Sequence, residues 1–73
     1  MERRVVLAPV AGTVQNVFVT SGAVIDVGSP VVLLDAMMMD TYVYAPTGGL
    51  VVEVGVAPGH VVQAGDWLVL YEG

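Results

Sequence analysis

The strongest constraint on this chain is that it repeats. Shifted by 37 residues, Ala8 to Asp35 lies over Ala45 to Glu72 without a gap, and 11 of the 28 aligned pairs are identical. Valine is common enough to match by chance. Three aligned glycine pairs (12/49, 22/59 and 28/65) and an aligned Ala-Pro step (Ala8-Pro9 with Ala45-Pro46) are not so easily matched, and they establish a tandem. Each half, 8–35 and 45–72, reads G-x-V-x-x-V-x-V-x-x-G-x-V-x-x-x-G. Neither half is long enough to bury an apolar face alone, so the two must pack on each other within one domain, residues 1–73.

The residues of each half read as strands. Eighteen of the 73 residues are valine, stiff at χ1 and suited to a pleated surface, while nine glycines and four prolines interrupt any long helix. Eight strands are expected, near Val5–Ala8, Gly12–Val19, Val24–Ile25, Val31–Met37, Thr41–Ala45, Gly49–Val56, Val61–Val62 and Leu68–Tyr71. Val17 and Val19 keep the period of two, as do Val54 and Val56. Val14 and Val51 are out of step with them, which predicts a bulge near Gln15–Asn16 and another near Val52–Glu53. The expected fold is all-β: a flattened barrel or sandwich of two four-stranded antiparallel sheets related by pseudo-two-fold symmetry.

Charge and hydropathy exclude other classes. The formal net charge is −5, and Arg3 and Arg4 are the only basic residues besides His60, so no basic face exists to neutralise nucleic-acid phosphates. Mean hydropathy is high, +0.82, and residues 5 to 25 carry no charge. That stretch is punctuated by Pro9, Gly12, Gln15, Asn16, Thr20, Ser21 and Gly22, a pattern of strands and turns that argues against membrane insertion as a helix. No export signal pattern stands at the N-terminus, and the chain has no cysteine; the cytosol is the default expectation.

Between the halves lies Ala36-Met37-Met38-Met39-Asp40, expected as a hairpin tip. The symmetry puts this tip at one end of the domain and both chain termini at the other. Three methionines on an exposed turn are unusual, because long apolar side chains normally avoid water.

Taken together, these residues resemble the biotinyl/lipoyl carrier-domain family, and its biotinyl branch in particular. The resemblance runs from about Ala8 to Glu72. It rests on the Ala8-Pro9-x-x-Gly12 opening, the Ala45-Pro46-x-x-Gly49 restart, the turns at Gly22, Gly28, Gly59 and Gly65, and the tip from Asp35 to Asp40. It implies the barrel-sandwich hybrid fold. In the family the tip reads Glu/Asp-Ala-Met-Lys-Met-Glu/Asp, and biotin protein ligase joins biotin to the lysine. The arm so formed carries carboxyl groups between biotin carboxylase and carboxyltransferase components, while the domain does no bond-making chemistry itself. On that alignment Met38 occupies the position of the biotinyl-lysine, with Ala36, Met37 and Met39 as the flanking recognition tip. No lysine occurs anywhere in the chain, so neither biotin nor lipoate is expected on it. Two origins fit Met38. One is a deliberate lysine-to-methionine replacement, favoured because the rest of the tip is intact. The other is a natural docking module that never carried a cofactor. A lipoyl-type carrier is a further alternative.

The remaining chemistry-bearing residues have plainer readings. Met37 and Met39 could contact partner enzymes, or pack on one face of an alternating strand with Met38 on the other. Consecutive methionines on a strand cannot converge on a copper(I) ion. His60, aligned with Ala23, is expected as a solvated loop residue with no nucleophile to serve, and no catalytic group is assigned. Trp67 is expected to pack at the sheet edge with its indole N–H on a backbone carbonyl. Asp35 and Asp40 are expected to keep the tip soluble or guide docking. Gly12 and Gly49 form no phosphate cradle, since no helix follows them.

Overall fold

The computed structural model describes all of residues 1–73 and contains eight strands and no helix. They are β1 (Arg3–Leu7), β2 (Gly12–Val17), β3 (Val24–Ile25), β4 (Pro30–Ala36), β5 (Met39–Tyr44), β6 (Gly49–Val54), β7 (Val61–Val62) and β8 (Trp67–Glu72). Two four-stranded antiparallel sheets form, in the orders β1-β8-β6-β3 and β5-β4-β2-β7. They are separate ladders facing each other, not a closed barrel. No helix is long and apolar enough to cross a membrane.

The repeat is written into every ladder. Val14 pairs with Leu34 as Val51 pairs with Tyr71, and Val6 pairs with Val69 as Val43 pairs with Val32. Both expected bulges are present, between Val14 and Asn16 and between Val51 and Glu53. The loops repeat as well: Gly28 N–H donates to Ala45 O and Gly65 N–H to Ala8 O, each at 2.8 Å. In both cases the glycine has positive φ, 82° and 92°, which most residues adopt only at a cost.

One organisational point differs from the sequence expectation. The halves of the sequence are not the sheets. β3 comes from the first half yet lies beside β6, and β7 comes from the second half yet lies beside β2. β1 likewise pairs with β8 and β5 with β4, so the strands before the tip and those after it each give two strands to the other's sheet, and the halves interlock as well as stack. Strand ends also shift. Val19 and Val56 fall outside the ladders, whose last bonds here are Phe18 N–H to Val31 O (2.9 Å) and Gly55 N–H to Leu68 O (2.8 Å). Both valines still pack against the core.

That core is symmetric to the residue. Its 14 members fall into seven pairs 37 apart: Val6/Val43, Ala8/Ala45, Val14/Val51, Ile25/Val62, Val31/Leu68, Val32/Val69 and Leu34/Tyr71. Only the last pair differs in kind. Tyr71 is fully buried and its hydroxyl shares a 2.8 Å hydrogen bond with Thr47 Oγ1, where the other half has Leu34 and Val10. Tyr71→Phe is expected to lower unfolding free energy by about 1 kcal/mol, because one hydrogen bond is lost and Thr47 turns to water. Urea denaturation reads this directly.

The chain ends close the symmetry. Glu2 and Gly73 exchange two backbone hydrogen bonds, at 3.1 and 3.0 Å. These two residues stand 37 before Met39 and 37 after Ala36, so the termini occupy in one sheet the place that the tip hairpin occupies in the other. β1 runs from the end that holds the termini toward the tip, and at about 3.3 Å per residue its five residues reach only the middle of a molecule 36 Å long. Arg3, at the start of β1, lies at the end that holds the termini.

Candidate functional site: the β4–β5 hairpin tip

β4 and β5 are joined by two residues. Ala36 pairs with Met39 and Asp35 with Asp40, which leaves Met37 and Met38 as the whole turn. Both have positive φ, 48° and 68°, and they are the only non-glycine residues of the chain that do. Left-handed backbone at both central positions is the type I′ turn, whose twist matches that of the flanking strands. The turn therefore overrides side-chain preference, since Asn and Gly favour these positions and Met does not.

The arrangement corrects the reading of Met37 and Met39 as alternating residues on a strand. Met37 belongs to the turn, and Met37 and Met38 are 96% and 99% exposed. They project into solvent and pack on nothing. Met39 begins β5 and is also largely exposed, whereas Ala36 is buried. Conformational demand at the tip is strict: any side chain at position 38 must accept left-handed backbone.

Two contacts hold the base of the hairpin. Gly12 lets β2 approach β4 closely; a Cβ at that position would lie 2.7 Å from Asp35 O and 3.3 Å from Ala36 Cα. Gln15 is the extra residue of the β2 bulge, and its Nε2 donates to Asp40 Oδ1 across β4 at 3.2 Å. A bulge re-aims a side chain, and this one braces the tip. Sequence reading found the bulge but not this role, because the partner lies 25 residues away on a strand two places over. Asp35 and Asp40 sit directly opposite each other, a pairing that weakens the hairpin slightly by like-charge repulsion and keeps its tip hydrophilic.

The other singled-out residues lie apart from the tip turn. His60 is exposed, and its Nδ1 accepts a 3.2 Å hydrogen bond from Ala57 N–H. Trp67 departs from expectation. It begins β8, an inner strand, and its ring lies over Gly55, where a Cβ would come within 2.5 Å of it. The residue is 42% exposed, and its indole N–H is not bonded to a backbone carbonyl as expected. Trp67 lines an open groove of about 610 Å³ with His60 and Asp66. No group of three or more His, Cys, Asp or Glu side chains is placed to hold a metal ion.

Comparison with known proteins agrees with this geometry. A single-chain, multi-domain long-chain acyl-CoA carboxylase contains a region that superposes with a TM-score of 0.89 at 38% identity, over 94% of this chain and 7% of that one. The urea carboxylase of Kluyveromyces lactis superposes with a TM-score of 0.90 at 21% identity, over 99% of this chain and 6% of that one; this second likeness is one of fold. The chain thus spans a small fraction of the length of these large proteins. None of the curated proteins compared matches it. The family model described as "Biotin-requiring enzyme" matches residues 4–70. By that match the chain belongs to the biotin-requiring enzyme family.

Proposed function

We propose that this chain is the carrier-type domain of a cytosolic biotin-dependent carboxylase, decarboxylase or transcarboxylase, with a tip that cannot be loaded. The observation that carries the reading is the β4–β5 turn. It presents one unbranched side chain, Met38, almost wholly to solvent at the end of a rigid sandwich, with Met37 and Met39 beside it and the termini at the far end. Such a tip suits an arm that must enter other active sites. Tethering the arm to a rigid body keeps its local concentration high.

The residues present do not fit covalently bound biotin. Amide formation needs an amine nucleophile, and Met38 offers a thioether in a chain without lysine. The other parts of the tip are intact, which supports a single lysine-to-methionine replacement at position 38; a methionine codon in the parental gene would instead support a natural docking module. The partners proposed are biotin protein ligase and the carboxylase and carboxyltransferase components. The test restores the amine. With biotin, ATP and a biotin ligase, the Met38→Lys chain is expected to gain the mass of one biotinyl group and the unaltered chain none. A variant that folds but gains nothing overturns the proposal, and a gain from lipoate and a lipoate ligase alone would reassign it to the lipoyl type.

A further inference from the structure

The repeat gives every surface position an internal control, and one face departs from it. Alternation turns Leu33, Asp35, Asp40, Tyr42 and Tyr44 to the outer face of the sheet that ends in the tip, since Val32, Leu34 and Val43, which alternate with them, are core. Phe18 joins them from the end of β2. Its ring centre lies 6.1 Å from that of Tyr42, which lies 6.2 Å from that of Tyr44, with planes 23° and 25° apart. Phe18 and Tyr42 meet across β4 and Leu33 lies buried between their strands, yet all three rings remain about half exposed. At the equivalent places 37 residues away, the other sheet carries Gly55, Val5 and Leu7.

The charges beside these rings break the repeat as well. Where one sheet pairs Asp35 with Asp40, the other pairs Glu72 with Arg3, and those two form an ion pair at 3.6 Å. Like charges directly opposite weaken a sheet, and the second half shows that an opposite-charged pair fits the same place. No cation compensates the two aspartates. Both arginines sit at the end with the termini, Arg3 against Glu72 and Arg4 against Glu2. Asp40 is steadied instead by the Gln15 amide, which donates to one carboxylate oxygen and leaves the other open.

We infer that this face docks an arginine-bearing segment of a partner protein, with a guanidinium held by the Asp35 and Asp40 carboxylates and the ring of Tyr42. Residues two apart on a strand stand about 7 Å apart on one face, so Asp40 and Tyr42 can engage one guanidinium together. The carboxylate accepts its paired N–H groups and the ring face stacks on its plane. Lysine suits the place less well, because its ammonium is a strongly hydrated point charge with no plane to stack. Phe18 and Tyr44 extend the ring surface on either side of Tyr42 and give the apolar part of the segment its contact. A net charge of −5 steers a basic partner toward the chain, and the uncompensated aspartates fix where it settles. The aspartates adjoin the Ala36–Met39 pair that closes the tip, so a partner docked here receives the tip as well. In that respect the inference rests on the carrier reading.

The test titrates the chain with an acetylated Gly-Arg-Gly-Arg-Gly peptide, its lysine counterpart and its neutral citrulline counterpart, and follows backbone amide shifts by NMR. Residue 38 stays methionine throughout, so failure here and failure of Met38→Lys to accept biotin are separate results. Two variants copy residues that the other half already accommodates: Asp40→Arg after Arg3 and Tyr42→Val after Val5. Glu53→Gln removes a carboxylate beside Leu70 and Trp67 on the other sheet. The expected result is saturable shifts at Phe18, Asp35, Asp40 and Tyr42 with the arginine peptide, at least threefold weaker binding of the lysine peptide, and none of the citrulline peptide. Asp40→Arg and Tyr42→Val are expected to lose at least fivefold in affinity and Glu53→Gln nothing. Asp40→Arg should also raise the urea midpoint, because an opposite-charged pair replaces a like-charged one; a fall would make Asp40 a structural residue and overturn the inference. Equal affinity for the arginine and lysine peptides overturns it, since charge alone is then at work. Shifts centred on Glu53 and Trp67, or full affinity in Asp40→Arg and Tyr42→Val, overturn it too.

Discussion

Gly49→Ala is expected to destabilise the fold by about 3 kcal/mol or more, enough to leave a chain of this size largely unfolded under mild urea. A Cβ at position 49 would stand 2.3 Å from Glu72 O, 2.8 Å from Tyr71 Cδ2 and 3.0 Å from Glu72 C. Two of these are backbone atoms of β8, a strand held on both sides, so nothing can move aside without parting β6 from β8. Gly12→Ala repeats the experiment in the other sheet, against Asp35 O at 2.7 Å, and is expected to cost somewhat less. The contrast is Gly22→Ala. Gly22 has φ of 91° but open space around its missing Cβ, so only the left-handed backbone is penalised, by about 1–2 kcal/mol. Urea midpoints ranking Gly49 below Gly12 and both below Gly22 would bear out the close-approach argument. A Gly49→Ala chain within about 1 kcal/mol of the unaltered protein would refute it.

These glycines also mark what could be read without coordinates. The 37-residue offset located Gly12 with Gly49, both bulges and the paired valines, because a repeat forces equivalent residues into equivalent environments. Six of the seven core pairs join aliphatic residues, and this is why a periodicity of valine and glycine was enough to identify the architecture. The exchange of β3 and β7 between sheets was not legible. Each is two residues long, and which sheet a dipeptide such as Val24–Ile25 joins is settled by loop bonds such as Gly22 N–H to Val51 O, which link opposite halves. Trp67 was misplaced for a related reason. The space for its ring comes from Gly55, which stands where the first half has Phe18, and the pairing of Trp67 with that vacancy depends on β8 being an inner strand.

The tip itself was legible as a location and a motif, but not as a conformation. A two-residue hairpin normally announces itself by Asn-Gly or Asp-Gly, and Met37-Met38 carries neither signal, so alternation extended β4 one residue too far. The turn is imposed instead by the register of Ala36 with Met39, which the seven-residue β4 and six-residue β5 secure together. Its residues were therefore readable only through the family resemblance, which is about side chains offered to partners and not about turn propensity.

Replacing Met37-Met38 by Asn-Gly is accordingly expected to stabilise the domain, by about 1–3 kcal/mol, since two L-residues of poor left-handed propensity give way to the pair best suited to a type I′ turn. Met37→Pro should do the opposite. Proline holds φ near −65°, far from the 48° observed, and would open the hairpin at a cost of about 3 kcal/mol. Met38→Lys is the third member of the series and should change stability little, because both side chains are unbranched, exposed and equally ill-suited to positive φ. Urea unfolding of the three variants separates the backbone's requirements from those of the side chains. If Asn-Gly gains nothing, the turn is not strained and its methionines need no further reason. If it gains as expected, the unaltered tip holds a less stable turn than the scaffold allows, and Met37, with the lysine that Met38 is proposed to replace, answers to what the tip presents and not to turn propensity.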